Sequence, residues 1–182
     1  MRVSRETAEK NRKNVVRTAS QKFRKHGYDG IGIAGLMKAA GMTQGGFYKQ
    51  FKDKHALEAE ATELALQENF ESWATVMEGS DDPISALKNW YLSPQHLKAI
   101  EQGCTYAALA AEVTRERPAL HGVFNEAVER QIEQLAKADN IGADSRKKAI
   151  QNMAQMIGTL ILARSVSDTE AQQEILVAGK SQ

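Results

Sequence analysis

The 182-residue sequence has one cysteine, Cys104, only three prolines, and few aromatic residues, 6% of the whole. A lone cysteine excludes an intramolecular disulfide framework and a cysteine-based zinc site within one chain, and it fits a reducing cytoplasm. With so little proline and with apolar residues recurring at helical spacing, an all-α protein is expected. No run approaches the roughly 18 uninterrupted apolar residues of a membrane span. The start, Met1-Arg2-Val3-Ser4-Arg5-Glu6, has no apolar signal-peptide core, so the expectation is a soluble cytoplasmic protein. The four histidines, His26, His55, His96 and His121, show no metal-ligand pairing, and neither an H-E-x-x-H nor a nucleophile motif is present. Neither an enzyme nor a metal or cofactor site is expected.

Net charge is also nearly absent, at +1. That balance hides an asymmetry. Residues 1–54 hold 13 Lys and Arg against 4 Asp and Glu, whereas residues 55–182 hold 11 against 19. A basic end joined to an acidic body implies that the N-terminal end alone meets a polyanion. The literal G-x-G-x-x-G at Gly30 to Gly35 is not a dinucleotide site, because a basic amphipathic helix precedes it where that fingerprint requires an apolar strand.

A first helix is predicted over residues 5–26, with Val16, Ala19, Ser20 and Phe23 as its stripe and Gly27 ending it. Arg2, Arg5, Lys10, Arg12 and Lys13 lie near its start, where they could reach phosphates. Ile33, Leu36, Met37 and Ala40 mark a second, short helix. Gly41 then offers the left-handed position that most side chains avoid, and Gly41 to Lys54 reads as the turn and second helix of a helix-turn-helix. Further signals follow downstream: Asp53 as cap of a long helix to about Glu78, Asp82-Pro83 and Ser93-Pro94 as two more starts, then helices from Cys104, Pro118, Asp144 and Asp168.

The segment Val15 to Leu57 resembles the N-terminal domain of TetR-family transcriptional repressors. The resemblance rests on Ala19, Phe23, Gly27, Tyr28, Ala34, Ala39-Ala40-Gly41-Met42-Thr43, Gly45, Phe47-Tyr48, Phe51, Lys54 and Leu57. It implies a three-helix DNA-binding domain over 1–53, with the helix-turn-helix at about 32–51, and a larger helical effector-binding and dimerisation domain over 54–182, about nine helices in all. It further implies a homodimer on a palindromic operator in double-stranded DNA, acting as a repressor that a small-molecule inducer releases. On that mapping Thr43 caps the recognition helix, Gln44 and the position of Gly46 face base edges, and Tyr48, Gln50 and Lys54 approach phosphates. Lys49 can reach phosphate or base, and Gly45 lies on the same face. Phe47 and Phe51, four residues apart, are read as core.

Two departures from the family pattern matter. Gly32 stands where a capping Ser or Thr is usual, and Gly46 stands where a side chain often reads a base. Consecutive glycines destabilise a helix by about 1 kcal/mol each relative to Ala, so close approach of the backbone to DNA is the better explanation for the pair.

For the larger domain, Trp73, Met77, Trp90, Tyr91, Tyr106 and Phe124 are candidates to line an effector pocket, although aromatic residues at helical spacing also serve as core. Cys104, at a helix start that lowers a thiol pKa, supports an alternative thiol-based redox or electrophile sensor. A DNA binder without sequence preference is a third reading. Wide apolar surface on the last two helices, with small Gly158 permitting close approach, points to a dimer interface through Met153, Ile157, Gly158, Ile161, Ile175 and Leu176.

Overall fold

The computed structural model describes residues 4–139 and 142–181, and among them every regular element is helical. Helix α1 spans Arg5–His26, α2 Ile33–Ala39, and a 3₁₀ segment Gln44–Lys49. Then follow α3 (Lys54–Met77), α4 (Pro83–Tyr91), α5 (Pro94–Lys98), α6 (Thr105–Glu116), α7 (Pro118–Asp139), a 3₁₀ turn (Gly142–Asp144), α8 (Ser145–Ser165) and α9 (Thr169–Ala178). None is long and apolar enough to cross a membrane, among the described residues.

The start signals operate as their chemistry requires. The carboxylates of Asp53, Asp82 and Asp168 accept the backbone N–H groups of Ala56, Ser85 and Ala171 at 2.8, 3.0 and 2.8 Å, and Ser93 Oγ accepts that of His96 at 3.2 Å. Pro83 and Pro94 occupy first-turn positions, where no amide proton is needed. Asp144 departs from this pattern: its side chain makes no cap bond, and the 3₁₀ turn leads straight into α8. Gly27 and Gly41 adopt φ of +73° and +72°, the left-handed turns expected at the ends of α1 and α2.

Helix α3 is shared by both halves of the molecule. Its first turns present Leu57 and Ala61 to Val15, Ala19, Phe23, Tyr28, Leu36, Met37, Phe47 and Phe51, all buried, while further along Trp73 and Met77 enter the core of the larger body. Phe47 and Phe51 pack at 5.4 Å between ring centroids, confirming their core reading.

The two halves meet along a seam of ion pairs. Lys22 and Lys25 of α1 both reach Glu101 at 3.0 Å, and these two ammonium groups hold the Glu101 carboxyl below its ordinary range. Arg24 of α1 is only 4% exposed and pairs with Glu68 at 3.0 Å. At the other end of α6, Glu112 accepts the Tyr28 N–H at 2.9 Å. Arg117 grips Glu58 at 2.8 Å and Asp29 at 2.5 Å while lying 4.8 Å over the Tyr28 ring.

Candidate nucleic-acid interface

The recognition segment is shorter and tighter than the α-helix expected. Gln44–Lys49 is a 3₁₀ turn, closed by Gly46 N–H to Thr43 O at 3.0 Å and Gln50 N–H to Phe47 O at 2.8 Å. Six residues containing two glycines have too little helical propensity to extend an α-helix, and i→i+3 bonds suit such short pieces. Thr43 occupies the N-terminal cap position with extended backbone, but its side chain makes no cap bond, so its hydroxyl is left for an outside acceptor. Gly32 likewise starts α2 without a side-chain cap.

What fastens this segment is apolar. Phe47 inserts into the core, Phe51 follows it, and Asn14 of α1 donates to Ala40 O at 2.9 Å, tying α1 to the end of α2. Thr43, Gln44, Gly45, Tyr48 and Lys49 therefore share an outward face. Tyr48 is 67% exposed, its ring standing edge-on to Phe47 with centroids 5.2 Å apart. Neither glycine is demanded by the protein's own packing: a Cβ at Gly45 would meet nothing within 4 Å, and one at Gly46 would meet only Met37 Cε at an ordinary 3.7 Å.

Two expected contact residues are placed otherwise. Lys54 turns inward, its Nζ donating to Tyr28 O at 2.5 Å and lying 3.8 Å from Glu58. The residue is drawn in because Glu58 is buried and requires cations around it. Gln50 is half-buried, with its Oε1 enclosed and without a hydrogen-bond partner among the described residues. Arg12 is also engaged within the protein, held bidentately by Glu60 at 2.6 Å and lying 4.7 Å over the Phe51 ring. The Glu60 hydrogen bonds raise its already high pKa. Arg2 lies outside the described residues.

The cations of the N-terminal unit that pair with no described carboxylate are Lys10, Lys13, Arg17, Lys38, Lys49 and Lys52. Lys38 and Lys52 were not singled out by sequence reasoning. Their signal was there, in the absence of a carboxylate at helical spacing that could neutralise them.

Residues 15–61 match the family profile described as bacterial regulatory proteins, tetR family. The match to that family is thus carried by the N-terminal segment, which holds the candidate recognition segment. Solved TetR-family structures share the fold over nearly all of the chain. A TetR regulator from Chloroflexus aurantiacus J-10-FL superposes with a TM-score of 0.82 at 22% identity, covering 96% of this chain and 94% of that one. A TetR-family regulator from Cytophaga hutchinsonii gives 0.80 at 16% identity, covering 99% and 95%. The reduced form of E. coli NemR gives 0.77 at 19%, covering 94% and 95%. No curated protein sequence matches the chain.

In the larger body the pocket candidates form a packed aromatic cluster. Trp73 and Tyr91 meet edge-on at 5.5 Å, and Tyr106 and Phe124 at 6.1 Å, with Met77 and Cys104 buried beside them; only Trp90 is partly exposed. Cys104 is 1% exposed. Burial pushes its thiol up, outweighing the backbone N–H groups at the start of α6, so the expected lowering does not occur.

His96 buttresses that helix start. Its Nδ1 lies 2.7 Å from Tyr91 O and its Nε2 accepts the Cys104 N–H at 3.2 Å, which makes Nδ1 the protonated nitrogen. Arg164 of α8 donates to His96 O and Leu97 O at 3.0 and 3.2 Å.

The expected dimer residues divide. Met153 and Leu176 are buried in the protomer's own core and are not on its surface. Ile157 and Ile175 are half-buried, whereas Ile161 is 45% exposed and Gly158 has open space over it. Ile150, Leu162 and Val177, which sequence reasoning passed over as interface residues, are exposed alongside. Both faces of α8 are apolar, so the sequence pattern alone could not say which one the core takes.

Proposed function

We propose that this regulator is a cytoplasmic, homodimeric repressor that binds a palindromic operator and is released by a small molecule. The observation that carries the reading is the outward face of the recognition segment: Thr43, Gln44, Gly45, Gly46, Tyr48 and Lys49 are presented on a buried phenylalanine anchor and flanked by cations that pair with no described carboxylate. Bare backbone at Gly45 and Gly46 fits close against base edges. Gln44 supplies the paired donor and acceptor that suit adenine, and Thr43, Tyr48, Lys49, Lys38 and Lys52 supply phosphate contacts. Lys54 then acts from behind, tying the start of α3 to the turn at Tyr28.

The exposed apolar strip of Ile150, Ile161, Leu162 and Val177, with Gly158 between, is suited to a twin strip on a second subunit. Our reading is that such pairing sets two recognition segments on one side of the duplex, where half-sites lie about 34–36 Å apart. For release, the effector must bind the DNA-incompetent arrangement better than the competent one, since equal affinity would shift nothing. The aromatic cluster of Trp73, Met77, Trp90, Tyr91, Cys104, Tyr106 and Phe124 can serve as that site only by opening, because its members are closely packed.

The test is selection of genomic DNA fragments by the full-length protein, followed by competition between the recovered site and random duplex. The expected result is a palindrome displaced by random DNA only at large excess, with Gln44→Ala relaxing one position per half-site. Equal displacement by random duplex would refute the repressor reading and support a binder without sequence preference.

A further inference from the structure

Two concavities join on the face formed by α1, α3 and α7. One, of about 490 Å³, lies where Arg130 of α7 faces α1 across α3; the other, of about 410 Å³, lies between α3 and α7. Both are lined by Glu63 and Arg130, so together they make one trough. Its chemistry changes along its length. At the α1 end, Lys13, Arg17 and Arg130 pair with no described carboxylate, while Arg12 beside them is satisfied by Glu60. Arg130 is held in place by the Phe70 ring, 4.6 Å beneath its guanidinium. Set against the single free carboxylate of Glu63, these leave that end cationic over an apolar floor of Val16 and Leu64. At the other end the lining is Leu66, Ala119, Val123 and Ala127 around the bare backbone of Gly122, with Glu126 on the rim.

We propose that this trough binds an amphipathic organic carboxylate, its head between Arg17, Lys13 and Arg130 and its hydrocarbon body along Val123 and Ala127. The inference rests on the reading of the chain as an effector-responsive regulator. A guanidinium is the side chain best shaped for a carboxylate, and two stand here on different helices, one from each half of the molecule. The volume lies in the range of small-molecule sites. An organic cation is repelled by the head end, and a small hydrophilic anion forgoes the apolar floor.

Occupancy has a direct electrostatic effect. It engages two of the six unpaired cations of the DNA-binding unit, setting one negative charge against them, and ties α1 to α7, beside the Arg12 that packs on Phe51 at the end of the recognition segment. DNA binding is weakened as a result.

The test is calorimetric titration of the full chain, without DNA, with decanoate, decyltrimethylammonium and acetate. Decanoate is expected to bind at least about tenfold more tightly than either of the others. Arg130→Gln and Gly122→Leu should each weaken decanoate binding by about tenfold or more. Gly122→Leu is safe for the fold, because a Cβ there meets nothing within 4 Å and leucine favours the helix. Equal binding of the two decyl probes, equal binding of acetate, or decanoate binding untouched by both variants would each overturn the site. Since no DNA is present, these outcomes are independent of the repressor reading. In a second arm, decanoate should weaken operator binding by the wild type and not by Gly122→Leu; an unmoved wild-type affinity would refute the coupling to DNA.

Discussion

Replacing Gly45 by alanine separates what the recognition segment needs to fold from what it needs to bind. In the free protein the added methyl enters open space, and the backbone there is not in the left-handed region that favours glycine. Glycine is disfavoured in a helix by up to about 1 kcal/mol relative to alanine, so Gly45→Ala should be neutral or stabilising by that amount. For a chain of this size the melting temperature then stays constant or rises by about 2–4 °C. On DNA the same methyl stands between backbone and base edges, and the loss of one close polar contact weakens operator affinity by about tenfold or more, some 1.4 kcal/mol. Thermal melting of the free protein and fluorescence anisotropy on the selected operator give the two readings side by side. A melting temperature that falls by several degrees would show that the glycine serves the fold. Unchanged operator affinity would show that the backbone does not approach DNA there. Either result refutes the reasoning.

The seam offers a second perturbation: Arg117→Met leaves the buried Glu58 without its strongest partner and should destabilise the protein by about 3 kcal/mol, read by chemical denaturation; a loss below about 0.5 kcal/mol would show that the pair is not structural. A third addresses pH. Burial holds His96 neutral, with its pKa below the unfolded value of about 6.5. The unfolded chain then binds a proton that the folded one refuses, so the contribution of His96 is present above that value and declines as pH falls below it. Between pH 6.5 and 5, stability of the wild type should drop and that of His96→Gln should fall less steeply; identical slopes would show that His96 plays no part in the acid sensitivity. A fourth concerns assembly: the double change Ile161→Glu and Leu162→Glu should convert a dimer to monomers in sedimentation velocity while leaving the helical circular dichroism intact, and a persistent dimer would place the interface elsewhere.

The helical architecture was legible because each element carries its own punctuation. Asp53, Asp82-Pro83, Ser93-Pro94 and Asp168 start helices by local hydrogen-bonding chemistry, and Gly27 and Gly41 end them by conformational freedom; neither effect depends on distant neighbours. The position of the recognition segment was legible for the same reason. Its 3₁₀ geometry was less so, because it depends on how Phe47 and Phe51 anchor against α1 and α2. The identity of the free cations was legible only in part, where no carboxylate stands at helical spacing. Lys54 has Glu58 at helical spacing, but Arg12 and Arg24 resemble Lys13 and Arg17 in sequence, and only the approach of Glu60 and Glu68 from another helix tells them apart. Burial on two-sided helices such as α8 is likewise a long-range property, which is why the apolar pattern points to Met153 as surface and passes over Ile150.

The seam between the two halves has a consequence for how this protein experiences salt. The acidic body does not merely balance the basic end; it engages Arg12, Lys22, Arg24 and Lys25 in ion pairs. Fewer positive groups are then free to displace counterions from a duplex than a count of lysines and arginines suggests, and the dependence of affinity on ionic strength is correspondingly shallow. The partly exposed pairs at Glu101 and Glu60 are themselves screened as salt rises. Ionic strength thus acts on this molecule in two places, at its contact with nucleic acid and at the joint that aims that contact.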